Sequence, residues 1–383
     1  MTISEILSRY TNMNRKEIEC DLCDEIQNKL QEKYGENPDS LITQRFEEEW
    51  NAVKLSDMIF DIAALYEIAL WLKQNNYPYW LRGTAGSSFL LYLLGITQGN
   101  PLPSHCYCPK CKTVYWNHLY SDGFDVPQTM QCENDGSFLI PDGHNIPWQI
   151  AWGYDNFQAS LYIDLPTNLY SHFCDVISVH WLQIIDDKNI PVCEGGEKRH
   201  IKQSRLNLQF ILKEDKVSPN FYRQQIKATD SRYILQNWKS IFADSFLAED
   251  EGPQKPEPKC IADLVSLMGC SYINKTWDDT AKLMITEFGY SLADLIIFKD
   301  DVYSYLINHG LSEKAAWYAM HLSRLDVNKK DGFPLATDEM KSAHDKWVLN
   351  RFHRATYFFP KSHEIEYMLF RLKIHVSVQN PIS

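Results

Sequence analysis

Between Leu55 and Asn75 the apolar residues Ile59, Phe60, Ile62, Ala63, Tyr66, Ala69, Leu70 and Leu72 recur at helical spacing, which predicts a long buried helix. NNYPYW ends it, because Pro78 cannot continue the ladder of helical hydrogen bonds. Upstream, residues 17–50 read as a helix, the polar loop YGENPDS and a second helix. Downstream, Trp80–Arg82 is a short approach to the turn GTAGSS, and SSFLLYLLGI returns to an apolar helical pattern.

Residues 101–147 are rich in Cys, Pro, Gly and Asp and predict a compact loop module with little core of its own. Three strand-like runs follow, WQIAWGY, ASLYIDL and VISVHWLQII (Val176–Ile185), and then the alternating run RLNLQFIL. AEDEGPQKPEPK carries three prolines and mixed charge and reads as a linker. Beyond it the pattern is helical nearly to the end. The expected class is α+β with an antiparallel-leaning sheet. The expected divisions are residues 1–54, 55–104, 105–140, 141–247, a linker at 248–258, and 259–383.

At 383 residues, 44% hydrophobic and 23% charged, the chain can bury cores in two or three domains. No apolar run is long enough to span a bilayer and the first residues lack a secretory pattern, so the expected location is the cytoplasm, with no membrane partner. A net charge of −12 disfavours indiscriminate coating of nucleic acid. The sum hides two basic stretches, Lys198–Lys239 and Lys341–Lys373, compatible with a nucleic-acid groove.

Four of the ten cysteines, Cys106, Cys108, Cys111 and Cys132, fall close together, which in a reducing compartment reads as one metal site plus ordinary thiols. CPKC supplies one knuckle, and CENDG resembles a second whose last cysteine has been replaced. The candidate ligands of a structural Zn2+ are Cys108, Cys111, Cys132 and Asp135, with Cys106 and His105 in reserve. The turn GTAGSS is a second candidate. Gly83 and Gly86 allow close backbone approach to an anion, Thr84, Ser87 and Ser88 offer hydroxyls, and a helix N-terminus opens near Ser87.

The segment LRGTAGSSFLLYLLGITQGNPLPSHCYCPKCK, followed by PDGHNIPWQIAWGY, resembles the polymerase core of PolC-type (C-family) bacterial DNA polymerase III alpha subunits. KCIADLVSLMG, LADLIIFKDDVYSYLINHGL and YFFPKSHEIEYMLFRLKIH are similar to its helical fingers, and DLCDEIQNKLQEKYG to the helices that lead into its palm. The resemblance covers residues 20–175 and 259–381. It implies a nucleotidyltransferase-like palm, a small zinc-ribbon insert and a C-terminal helical fingers-like domain. The chemistry it implies is phosphoryl transfer by two Mg2+ or Mn2+ ions held between neighbouring aspartates.

Those aspartates are not all present. With the IDL of ASLYIDL in register, the second acid falls on Asp164 and the first on Tyr162; aligned from WGY the pair is Leu161 and Ile163. The third acid, from RLNLQFIL, becomes Gln209. In the fingers-like region Lys346, Arg351, Arg354, Lys361, Arg371 and Lys373 alternate with Trp347, Tyr357, Phe358 and Tyr367, and Arg351, Arg354, Lys361 and His363 are the expected nucleic-acid contacts. Glu364 and Glu366 would repel a phosphate there. The length leaves no room for the family's exonuclease or clamp-binding parts. The expectation is therefore a truncated, catalytically degenerate homologue that binds DNA, nucleotide or a replication partner. The alternatives are an active nucleotidyltransferase with relocated ligands (Asp164 with Asp186 or Asp187) and a protein-interaction decoy of a replication complex.

Overall fold

A computed structural model describes residues 3, 5–6, 13–173, 183–185, 191–193, 205–213, 217, 221–222, 231–242, 256–272, 281–286, 289–322 and 358–379. The chain divides into two compact units, Met1–Asp230 with Ile365–Ser383, and Ser231–Glu364.

The first unit opens with α1 (Arg15–Tyr34), capped by Asn14, whose side chain accepts from Lys16 N while Glu17 accepts from Asn14 N. Its buried residues Ile18, Leu22, Ile26, Leu30 and Tyr34 follow one another at four-residue steps and form one apolar stripe. Gly35, at φ 85°, ends it. Next come α2 (Ser40–Leu55) and α3 (Ile59–Gln74). The apolar residues of α3 are buried nearly all round, as the 55–75 pattern predicts, and they join one core with α1 and α2.

The strand β1 (Trp80–Arg82) leads into a five-residue 3-10 turn, Gly83–Ser87, and then into the short helix α4 (Phe89–Leu93). The cysteine-rich module is a small antiparallel sheet of β2 (His105–Tyr107), β3 (Val114–Trp116) and β4 (Ile140–Asp142), in the order β3-β2-β4. It has its own minor core of Cys106, Cys108, Val126, Cys132 and Leu139.

WQIAWGY is not a strand. Gln149–Trp152 form the helical turn α5 after Pro147, and Gly153, at φ 57°, closes it. All four residues of that turn are buried, so the Trp-Ile-Trp alternation reports burial on every side rather than a period of two.

The remaining strands are β5 (Leu161–Pro166), β6 (Gln183–Ile185), β7 (Pro191–Cys193) and β8 (Leu206–Leu212), and the main sheet runs β1-β5-β8-β6-β7. It is mixed rather than antiparallel-leaning. β5 and β6 both run parallel to β8, while β1 pairs with β5 and β7 with β6 in the antiparallel sense. The sequence shows alternation but not direction, and a long connection can return a strand either way. Of Val176–Ile185 only 183–185 are described.

In the second unit lie α6 (Ser231–Ile241), α7 (Ile261–Tyr272), α8 (Lys282–Thr286), α9 (Lys299–Asn308) and α10 (Glu313–Leu322). The last helix, α11 (Lys361–Gln379), contributes its residues from Ile365 onward to the first unit. The division of contacts at 230 and 364 is thus not the proline-rich 248–258, most of which lies outside the described residues. No helix among the described residues is long and apolar enough to cross a membrane.

Candidate functional site

Pairing between β1, β5 and β8 sets the register of the strand site. Trp80 stands opposite Asp164 and Arg82 opposite Tyr162 across the antiparallel pair. On the other side Tyr162 aligns with Asn207 and Asp164 with Gln209. Alternation along each strand puts Trp80, Arg82, Tyr162, Asp164, Asn207 and Gln209 on one face of the sheet. The three positions that sequence reasoning reserved for acids, Tyr162, Asp164 and Gln209, are therefore neighbours, and only one of them is an acid.

That acid is 1% exposed. Arg82 Nε lies 2.9 Å from its Oδ1, and the same guanidinium donates to Gln209 and sits 5.6 Å from the centre of the Tyr162 ring. Burial raises the Asp164 carboxyl to about 7, with Arg82 pulling in the opposite direction. Two divalent cations do not fit this set. Such ions need several charged oxygens, whereas here one carboxylate is buried against a fixed guanidinium. The same face is packed by α11, where Tyr367 and Phe370 meet the Trp80 ring at 5.3 and 6.3 Å between centroids. Asp186 and Asp187 lie outside the described residues.

The glycine turn has an internal occupant. Glu49 of α2, fully buried, accepts from Phe89 N at 2.9 Å, from Leu90 N at 3.3 Å and from the Ser88 hydroxyl at 2.8 Å. Trp152 Nε1 donates to the same carboxylate, and Arg45 closes on it at 2.5 Å while donating to the carbonyls of Ser87 and Ile146. The N–H groups expected to point outward at a phosphate are thus already bound to a carboxylate, and Ser87 and Ser88 are buried. Of the turn, Gly83 and Thr84 are half-exposed, and a Cβ built on Gly83 would meet nothing within 4 Å. Nothing in the spacing of RFEEEW singles out Glu49; its role is visible only through the packing of α2.

Cys108, Cys111, Cys132 and Asp135 converge, their ligand atoms all lying within 4.8 Å of one another, and this is the metal-capable cluster among the described residues. The two knuckles share one design. Cys108 N donates to Thr113 O and Lys112 N back to Cys108 O, while Cys132 N donates to Ser137 O and Gly136 N back to Cys132 O. The tight turns are made by Lys112 at φ 65° and Gly136 at φ 70°. Cys111 and Cys132 sulfurs are 3.4 Å apart, and Cys108 Sγ is 3.2 Å from an Asp135 oxygen. Hydrogen bonds, from Thr113 foremost, lower the Cys111 thiol to about 6, and those from Ser137 hold Asp135 well below the usual carboxylate range. Three thiols and a carboxylate so placed fit a closed tetrahedral ion. The reserves do not join it: the His105 ring bonds to Pro103 O, and neither His105 nor Cys106 is among the converging groups.

Arg351 and Arg354 lie outside the described residues. Lys361 is half-buried, its N–H accepted by Asp300, and His363 is buried against the Phe359 ring at 4.8 Å. Glu366 is held by backbone amides. Its carboxylate accepts from Gln98 N at 2.9 Å and Gly99 N at 2.7 Å, tying α11 to the loop before NPLP.

Residues 21–140, which span α1 to the cysteine module, match the family described as the bacterial DNA polymerase III alpha NTPase domain. The chain is similar to the DNA polymerase III PolC-type of Thermotoga petrophila, at 25% identity over 91% of this chain and 33% of the relative. It is likewise similar to that of Ureaplasma parvum, at 23% identity over 88% of this chain and 30% of the relative. The resemblance read from the Gly–Ser turn, the NPLP segment and FPKSH is shown by these comparisons, and the chain spans about a third of the length of the curated relatives it matches.

Proposed function

We propose that the chain is a non-catalytic relative of the PolC-type polymerase core, which binds DNA, a nucleotide or a replication partner in the cytoplasm without extending a primer. In this reading the β1-β5-β8 sheet is its palm, the helices after residue 259 its partial fingers, and Cys108, Cys111, Cys132 and Asp135 the ligands of a structural zinc. One observation carries it: at three adjacent strand positions where two-metal chemistry needs acids, the protein has Tyr162, Asp164 and Gln209, and the single carboxyl is buried beside Arg82.

The test is primer extension on a labelled primer–template with Mg2+ or Mn2+, beside retention of the same DNA on the immobilised protein. No extension with either ion is expected, together with measurable binding of DNA or of replication proteins. Extension that disappears in Asp164→Ala overturns the reading.

A further inference from the structure

A cavity of about 640 Å³ opens in the first unit, bounded by α1, α3, α4, β4 and α11. It contains none of Asp164, Gly83 or the cysteine ligands. Its size suits a small organic molecule rather than a polymer segment.

Charge on its walls is unbalanced. Lys33 is neutralised by Asp142 at 3.0 Å, and Lys29 by Glu32 at 3.2 Å. Lys73, Lys112 and Lys373 have no carboxylate within ion-pair distance among the described residues, and the one further carboxylate on the walls is Glu366, already engaged by Gln98 and Gly99 N–H. Lys73 Nζ reaches only the Gly95 carbonyl, and Lys373 Nζ lies 5.8 Å from the centre of the Phe221 ring. One buried hydroxyl on the walls, that of Thr97, also lacks a partner among the described residues, and the Tyr79 side chain, 4% exposed, lies on the same walls. Half-buried cations and a buried hydroxyl left in this state are costly unless something answers them.

We infer that this cavity binds a small phosphorylated ligand of the phosphate-monoester class, its dianion held by Lys73 and Lys373 with the Tyr79 and Thr97 hydroxyls donating. Three uncompensated ammonium groups against one carboxylate match a doubly charged group. A phosphate offers three acceptor oxygens to converging donors. Trp80 and Tyr222 on the walls supply an apolar face for the rest of the ligand. Burial lowers both Lys73 and Lys373 to about 8, so both remain mostly protonated at neutral pH, and a bound dianion would stabilise that charged form.

Calorimetric titration of the full chain with inorganic phosphate, glycerol 3-phosphate and deoxyadenosine monophosphate tests this, with glycerol as the uncharged control. Saturable binding of the phosphates and none of glycerol is expected. Tighter binding of the nucleotide would assign the aromatic wall to a base, and equal binding would assign recognition to the phosphate alone; both uphold the site. Lys373→Met and Lys73→Met, which keep the buried stems, should each weaken binding by about tenfold. The isosteric Tyr79→Phe should weaken it by roughly threefold to tenfold. Absence of saturable binding by every phosphate, or unchanged affinity in both lysine variants, overturns the inference. Such a failure leaves the polymerase-core reading intact, since primer–template binding is measured separately.

Discussion

Replacing Asp164 by Asn asks whether this carboxylate is able to serve a cation at neutral pH. Burial raises it to about 7 against an ordinary 3.8, so between those values the unfolded chain ionises while the folded one holds its proton. The sign follows from that difference. Stability is fully present below about pH 4, declines as pH rises, and levels off above about pH 7. At 1.36 kcal/mol per pH unit, ionisation of Asp164 costs the folded state about 4 kcal/mol by pH 8. Asn is nearly isosteric and carries no charge at any pH. Arg82 would lose an anion, but its side chain is a quarter exposed and keeps Gln209 and the Tyr162 ring.

The variant should therefore match the parent near pH 4 and exceed it in stability by up to about 4 kcal/mol near pH 8. Hydrogen-exchange protection of the β5 amides at several pH values reads this locally, and the variant-minus-parent difference cancels other titrating groups, Glu366 among them. A variant less protected than the parent at pH 8 would refute the reasoning. It would mean that guanidinium attraction outweighs desolvation and that the carboxylate is charged in the fold.

Glu49→Gln should destabilise the first unit by about 3–5 kcal/mol, read from denaturant midpoints, because Arg45 would be left as an uncompensated buried charge and the α4 N-terminus would lose its anion. The purified protein should carry one zinc per chain by elemental analysis. Cys132→Ser or a strong chelator should remove it and raise hydrogen exchange across residues 105–142, while the β5 amides stay protected.

The helical elements were the most legible part of the sequence. Apolar spacing in 55–75 and the polar loop YGENPDS are local signals, and the structure places α1, α2 and α3 accordingly. The cysteine cluster was legible for the same reason, since a knuckle closes within a few residues. Strand direction was not, because whether β8 runs parallel to β5 depends on the path of the long connection between them. WQIAWGY misled because full burial erases the difference between periods of two and 3.6. Glu49 was missed because its value lies in contacts with Phe89 and Trp152, 40 and 103 residues away. The role of Arg82 was missed likewise: it sits beside the glycine turn in sequence, but only the pairing of β1 with β5 brings it to Asp164.

Arg82 also explains how a strand site short of acids remains tolerable inside a fold. A cluster of carboxylates on one sheet face is self-repelling and needs bound cations to hold together. Neutral side chains at 162 and 209 remove most of that repulsion, and the remaining acid, its carboxyl raised by burial, lies beside one guanidinium whose other nitrogens and face engage Gln209 and Tyr162. The same internal substitution occurs at the glycine turn, where Glu49 fills the place an anionic ligand would take and Arg45 balances it. By contrast, Lys73 and Lys373 on the cavity wall have no carboxylate within ion-pair distance among the described residues, and it is there that the inferred ligand would sit.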